Sequence, residues 1–483
     1  MNDARTVIVL AAGIGKRMRS SVPKMMHPLL GRPLVGHVLH AAAPLAPERL
    51  MVVVGTGADL VSAYVRADVP GAELVLQAEQ RGTGHAARVA MDAVPDADGT
   101  VVVLLGDNPL LRTTTLEDLL RHHDRTGAAA TVLTAVVDDP YGLGRIIRAE
   151  DGTVSRIVEE RDAKPEEAAV HEINSGIIAF RAGLLRAALG RLSADNDQGE
   201  ELLTDVVALL ADDGERVEAR TVADTAEVLG CNDRAQLATL RNLLRDRVNG
   251  DLMRSGVTMI DPATTWIDVT VTVGEDALIE PNTQLRGATS IGAGAVVGPD
   301  TTLTDVSVGE GASVVRTHGS ESVVGAGASV GPFAYLRPGT DLAARGKIGT
   351  FVETKNAVIG TGSKVPHLSY VGDATIGEYA NIGAATIFVN YDGVHKHRTT
   401  VGDAAFVGCD SALIAPVSIG PGAYVGAGSV VTKDVPAGSL GVSRAPQRTI
   451  DGWVERSRPG TKSAAAASAH QDTAGIPEAD TAG

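Results

Sequence analysis

At 483 residues, with 44% hydrophobic content and a mean hydropathy of +0.08, the chain is long enough for two or three globular domains. Its 43 Lys and Arg against 59 Asp and Glu leave a formal charge of −16, a field that repels nucleic-acid phosphates, and no segregated basic face offsets it. Only Cys231 and Cys409 occur, which supports neither a disulfide framework nor a cysteine metal cage, and no stretch approaches the roughly 18 apolar residues of a spanning helix.

Both cysteines read as packed thiols. The opening residues carry an acid early and run straight into glycines and basic residues, unlike a signal peptide, so the expected compartment is the cytoplasm. Fifty-five glycines against 3% aromatics point to many tight turns rather than an aromatic-rich core.

In chain order, residues 5–12 read as a buried strand that ends in the loop Gly13-Ile14-Gly15. Apolar runs at Leu50–Val54, Leu74–Leu76, Val101–Leu105 and Ala129–Val137 alternate with helical patterns at Leu34–Ala43 and Thr113–His123. That alternation predicts βαβ units on a mostly parallel sheet over residues 1–232. Asp233–Arg254 follows as a helix, residues 233–256 serving as a connecting rod, with Leu237, Leu240, Leu244, Val248 and Leu252 at helical spacing.

From Val257 the period changes to six. Val273, Ile279, Leu285, Ile291, Val297 and Leu303 keep that step, as do Val324 to Ile348 and Val401 to Val431 in two further registers. A three-faced coil, with one aliphatic per face stacked inward and small residues at the corners, explains both this spacing and the scarcity of aromatics. Residues 257–459 form this repeat domain, and 460–483 read as a disordered tail.

The first chemical constellation is Leu10-Ala11-Ala12-Gly13-Ile14-Gly15-Lys16-Arg17-Met18, followed by Pro23-Lys24. A dinucleotide fingerprint would need glycine where Met18 stands, and a P-loop would need Gly at 10 and Ser or Thr at 17. What remains is glycine backbone able to approach a polyphosphate, with Arg17 and Lys24 to neutralise it. Gly82-Thr83-Gly84 and Gly106-Asp107-Asn108-Pro109 add two more loops at strand ends.

A second constellation lies inside the repeat. Tyr335-Leu-Arg337, Phe351-Val-Glu353-Thr-Lys355, His367-Leu-Ser-Tyr370 and Asn390-Tyr391-Asp392 collect charged and aromatic residues that a purely structural coil has no reason to gather. Residues roughly 18 apart stack in such a coil, so Arg337, Lys355 and Tyr370 are placed to converge on one phosphate. Imidazole titrates near neutral pH and suits a general base, and among the 12 histidines His367 is singled out as the candidate because its segment Lys364-Val-Pro-His-Leu-Ser-Tyr370 resembles an acetyltransferase motif. The insertion Asn390–Arg398 breaks the six-residue register, and loops leaving a regular scaffold concentrate function.

The glycine loop with its Pro-Lys resembles the signature of sugar-1-phosphate nucleotidyltransferases. Together with the repeat, residues 5–455 resemble the bifunctional N-acetylglucosamine-1-phosphate uridylyltransferase and glucosamine-1-phosphate N-acetyltransferase family. Lys16, where that signature usually has Thr, is one departure. The resemblance implies an α/β nucleotidyltransferase domain followed by a left-handed parallel β-helix, assembled as a homotrimer with acetyl-transfer sites between chains.

It further implies that Leu10, Ala11, Ala12, Gly13, Lys24, Gln77, Gly82 and Thr83 bind UTP, Gln77 reading the uracil edge. Gly144, Glu159 and Asn174 would hold the acetamido sugar, and Asp107 and Asn232 would ligate magnesium, an ion content with few protein oxygens. In the repeat, Glu353, Asn381, Asn390 and Tyr391 would contact the amino sugar, and Lys396 would reach a neighbouring subunit's site. Acetyl-coenzyme A would run along Ala384, Asn390, Tyr391, Cys409, Ala427 and Arg444. Cys409, where many relatives have Ser, and Ala384-Ala385, where Ala-Gly is more usual, depart from the family pattern. The small molecules implied are UTP, glucosamine 1-phosphate, N-acetylglucosamine 1-phosphate and acetyl-CoA. A coil serving only regulation would lack the Arg337, Lys355, His367 and Tyr370 set, and an assembly subunit stripped of chemistry would lack Gly13, Gly15, Arg17, Lys24, Asp107 and Asn232.

Overall fold

The computed structural model describes residues 5–55, 58–196 and 199–474. In the N-terminal domain Arg5–Leu10 lies between Thr100–Leu105 and Arg49–Val54, parallel to both, with Ile8 opposite Val103 on one side and Met51 on the other. The sheet runs Val217–Thr221, Ala130–Val136, Glu172–Arg181, Thr100–Leu105, Arg5–Leu10, Arg49–Val54, Glu73–Leu76. Glu172–Arg181 is antiparallel to both neighbours, so the sheet is mixed although most of it is parallel.

Side chains alternate across a strand, and here both faces are covered. Val7 and Val9 pack against Leu34–Ala42 and Thr113–Thr126, whereas Ile8 and Leu10 pack against Thr83–Ala93, Ala182–Leu189 and Leu203–Asp212. This two-sided burial is why the strands read as continuous apolar runs rather than alternating ones. Each fully buried aliphatic contributes about 1.5–3 kcal/mol.

Helix Arg234–Arg254 begins where the Asp233 carboxylate accepts the Gln236 N–H at 2.8 Å, an N-cap that satisfies one orphan donor. The predicted rod is packed rather than free-standing: Leu237, Leu240 and Leu244 bury against Met18, Leu29, Leu30, Leu34 and Leu110. At its far end the buried Asn249 amide donates to the carbonyls of Pro262 and Thr265, both at 2.9 Å, and Val269 N–H donates to Leu30 O at 3.1 Å. Helix, nucleotidyl domain and first coil are thereby tied together.

The C-terminal domain is a left-handed parallel β-helix whose strands form an 11-stranded and a 15-stranded sheet among the described residues. Leu278 pairs with Val296, Val296 with Ser313 and Ser313 with Ser329, steps of 18, 17 and 16 residues. The stacked aliphatics are the predicted ones: Ile279, Leu285, Val297, Leu303, Leu336, Leu342, Ile348, Val407, Leu413 and Ile419 are buried in one core. Asn381 pairs with Phe406, a step of 25 that contains the predicted insertion. Glycine at corners is a spatial requirement: a Cβ on Gly408 would lie 2.4 Å from Ala427 N.

Two expectations need correction. Lys462–Ala474 is a helix, because its alanine run has the highest helix propensity even without an amphipathic pattern; residues 475–483 of the expected tail lie outside the described residues. Cys231 is buried as expected, but Cys409 is exposed, since it stands at a coil corner whose side chains point outward. Among the described residues, no helix is long and apolar enough to cross a membrane.

Candidate active sites

Three parallel strands deliver the first site at their carboxyl ends, where α/β sheets bind ligands. Their ladder extends one step past the strands: Ala11 N–H donates to Val53 O at 2.8 Å, Gly106 N–H to Leu10 O at 2.9 Å, and Gln77 N–H to Val54 O at 2.8 Å. These bonds gather Leu10, Ala11, Ala12, Gly13, Gln77 and Asp107 along one sheet edge. Gly15, at φ 65°, turns the loop so tightly that a Cβ would lie 2.4 Å from Lys24 Cβ. Arg17 projects exposed from the 3₁₀ turn Lys16–Met18.

Lys24 is the centre of this edge. Its ammonium pairs with the Asp107 carboxylate and donates to Asn232 Oδ1 at 3.2 Å, with both charged side chains largely buried. Cys231 N–H donates to Asp107 O at 3.1 Å, which brings the Asn232 segment to the Gly106-Asp107 turn. The buried Gln77 side chain donates to Gly82 O at 3.1 Å and meets His85 Nδ1 at 3.1 Å. Thr83 Oγ1 accepts the Leu203 N–H at 3.0 Å.

The predicted sugar residues also assemble. Asn174 N–H donates to Gly144 O at 2.8 Å, and a Cβ on Gly144 would sit 3.6 Å from both Asn174 Cβ and Glu159 Oε1. Glu159 opens on a cavity of about 300 Å³ that Asp162, Leu202 and Asp205 also line. Burial raises the Glu159 carboxyl above its ordinary range, opposed by a hydrogen bond from Thr204 Oγ1 at 3.3 Å. Thr204 and Asp205 were not foreseen, because their helix joins the site only through tertiary packing.

In the coil, Arg337 Nη1 pairs with Glu353 Oε1 at 2.8 Å, and Tyr335, Glu353 and Tyr370 stand one above another on successive rungs. Gly372 leaves room for the Tyr370 ring, whose hydroxyl would lie 2.3 Å from a Cβ there. Lys355 lies beside Lys396, whose neighbouring ammonium holds it below the usual lysine range. Asp373 was missed: it accepts from Asn356 at 2.7 Å and Asn390 at 2.5 Å. Burial pushes the Asp373 carboxyl up, but those two amides and the nearby lysines outweigh it and leave it lowered. Its only sequence signal was the 17-residue step from Asn356.

The insertion folds back on its own chain. Asp392 accepts from the N–H groups of Val394 and His395 and from the His397 ring, which lowers its carboxyl to about 2. Arg398 anchors the return on Thr375 Oγ1 and Ala374 O. Consequently Lys396, expected at a neighbouring subunit's site, lies beside Lys355 of its own chain, and Tyr391 is bridged to Lys396. Asn381 stands on the other sheet, paired with Lys364 and Phe406.

His367 is exposed at the end of Lys364–His367, opposite Thr350, and among the described residues its imidazole has no hydrogen-bond partner. Its carbonyl accepts the Ala385 N–H at 3.2 Å, placing Ala384-Ala385 next to it. Ala384, Cys409 and Ala427 then climb one corner of the coil: Asp410 N–H donates to Ala384 O at 2.7 Å and Gly428 N–H to Cys409 O at 2.8 Å. Arg444 continues the column, its Cδ 3.7 Å from where a Gly428 Cβ would be.

Residues 7–253 match the MobA-like NTP transferase domain family, and 398–433 match the bacterial transferase hexapeptide (six repeats) family. The bifunctional protein GlmU of Mycolicibacterium vanbaalenii is 55% identical over 469 residues, covering 96% of this chain and 95% of its own. Those of Streptomyces avermitilis and Kineococcus radiotolerans are 56% identical over 463 residues and 57% over 468, each alignment covering at least 95% of both chains. A crystal structure of UDP-glucose pyrophosphorylase complexed with UDP-glucose covers 50% of this chain and 99% of its own at 18% identity and a TM-score of 0.41, a loose likeness. With a nucleotidyltransferase site at the sheet edge, a hexapeptide-repeat site on the coil and near-complete alignment to these relatives, the chain belongs to the GlmU family of bifunctional proteins and carries its uridylyl-transfer and acetyl-transfer activities.

Proposed function

We propose that the coil site acetylates glucosamine 1-phosphate with acetyl-CoA and that the sheet-edge site then transfers UMP from UTP to the N-acetylglucosamine 1-phosphate so formed, releasing pyrophosphate. The product, UDP-N-acetylglucosamine, supplies cell-wall peptidoglycan synthesis. The observation that carries this reading is the convergence of Asp107 and Asn232 on Lys24 beside the glycine loop. Release of pyrophosphate from UTP plus N-acetylglucosamine 1-phosphate, dependent on magnesium, tests it; absence of release by the folded protein overturns it.

At the sheet edge, a phosphate oxygen of the sugar attacks the α-phosphorus of UTP and the bond to pyrophosphate breaks. No protein nucleophile takes part, so the chain acts by positioning and charge neutralisation. Lys24 and the exposed Arg17 face the triphosphate, Gln77 meets the uracil, and Gly144, Glu159 and Asn174 hold the sugar. One carboxylate and one amide oxygen already share a cationic partner, a donor set that suits magnesium completed by phosphate and water oxygens. When bound there, the ion would neutralise charge on the triphosphate.

On the coil, Arg337, Lys355 and Tyr370 take the phosphate of the amino sugar. The crowding of Lys355 by Lys396 is the environment an anion relieves. His367 removes a proton from the amine, which attacks the thioester carbon, and coenzyme A leaves as the thiol. Among the described residues the Ala384 N–H has no hydrogen-bond partner, and it is the donor for the developing oxyanion.

A homotrimer completes this second site. Phe333 and Phe351 stack at 5.4 Å on an exposed column that continues to Leu368, next to His367, and each is more than half exposed. Such a contiguous apolar column is what a second copy would cover. Asn381, on the other sheet, would serve a neighbour's amino sugar. The free thiols Cys231 and Cys409 suit a reducing compartment, in keeping with a cytoplasmic enzyme.

A further inference from the structure

Glu201 is a carboxylate with a side-chain exposure of 3% at the start of the segment that leads into helix Leu203–Asp212. It pairs with Arg81, and Arg88 approaches its second oxygen at 2.7 Å without the alignment of a hydrogen bond. Burying a carboxylate is costly unless it is paired, so these two guanidiniums define where the segment can sit. Arg81 precedes the Gly82-Thr83 turn and Arg88 lies on the helix that follows it.

The backbone repeats the same junction. Glu201 N–H donates to Arg81 O at 2.7 Å, Gly84 N–H donates to Glu201 O at 2.8 Å, and Leu203 N–H donates to Thr83 Oγ1 at 3.0 Å. Gly82, at φ 113°, lies so close that a Cβ would fall 2.3 Å from Glu201 O, and its own carbonyl accepts the Gln77 amide. The segment's far end is held too, by the hydrogen bond from Thr204 to Glu159.

We propose that Glu201 is a positioning residue for pyrimidine recognition: through Arg81 and Arg88 it clasps the Arg81–Gly84 turn, and that turn fixes Gln77 against the base. The proposal rests on the reading of Gln77 as the uracil contact. Gln77 orients through Gly82 O, Gly82 is seated on Glu201, and Glu201 is located by charge. The carboxylate does not touch the nucleotide; it sets the pose of the residue that does.

Uridylyl-transfer kinetics of the full chain, with acetyl transfer of the same preparation as the internal control for folding and assembly, test this. Glu201→Gln removes the charge and keeps the shape; the expected result is a rise in KM for UTP of about ten-fold with kcat within about two-fold, the pattern of lost binding rather than lost chemistry. Preference for UTP over CTP falls with it. Arg81→Gln, at a largely exposed arginine, is expected to move the same KM in the same direction and covers the case in which Glu201→Gln does not fold. Gln77→Ala separates the two claims. If Gln77→Ala leaves the UTP KM unchanged, the uracil reading fails; if it raises that KM while the Glu201 and Arg81 variants leave KM and base preference unchanged, the clasp alone is overturned.

Discussion

The Lys24 ammonium is shared between the Asp107 carboxylate and the Asn232 side-chain carbonyl, the latter at 3.2 Å, residues that come from three separate stretches of the chain. One cationic group thus already satisfies both oxygens assigned to magnesium. Asp107→Ala should lower magnesium-dependent uridylyl transfer by about two to three orders of magnitude, the scale of losing a main electrostatic group. Acetyl transfer should be unchanged, because the two sites belong to separate cores. Parallel assays of both activities check this, and loss of both in a folded protein would contradict the two-site assignment.

His367→Ala should reduce acetyl transfer by about two to four orders of magnitude, the usual contribution of a general base, and leave uridylyl transfer intact. The imidazole has no partner among the described residues, so its removal strands no buried group and the fold should hold. Glu353, an amino-sugar contact in the sequence reading, is engaged by Arg337 at 2.8 Å. Retained wild-type acetyl transfer would refute the assignment.

Phe351→Glu should break self-association. The side chain is 58% exposed and stacked on Phe333, so the substitution places charge in the apolar column without disturbing the coil interior. Sizing should report a smaller species, with acetyl transfer reduced and uridylyl transfer preserved. An unchanged elution volume would contradict the proposed use of this face.

Stability should decline in acid between pH about 6.5 and about 4. Burial lowers the imidazoles of His37 and His123 to about 4, and each is held by a hydrogen bond, His37 to Leu29 O at 2.7 Å and His123 to Thr131 Oγ1 at 2.8 Å. The unfolded chain binds these protons first, so stability is full above the unfolded value and falls as pH drops towards the folded one. Each histidine contributes on the order of 3 kcal/mol to that loss. Thermal unfolding of the nucleotidyl domain across this range should steepen in acid, and His123→Gln should flatten the dependence.

Sequence alone determined the repeats and the strands because both are written in local periods. A six-residue step of Val, Ile and Leu can bury only in a three-faced coil, and Val7 to Leu10 can bury on both sides only between helices. The glycine loop, Lys24, Asp107 and the Arg337, Lys355, His367 and Tyr370 set were legible for a related reason: each stands at the end of a strand or on a rung, where spacing predicts position. What tertiary structure decided depends on which strand ends and rungs become neighbours. Thr204 meets Glu159 from 45 residues away, and Glu201 meets Arg81 from 120 residues away. Lys396 returns to Lys355 only because Asp392 and Arg398 fold the insertion back. Such pairings leave no periodic trace, because the energy that selects them comes from burying charges and amides together, and that burial exists only once the sheets and helices have packed.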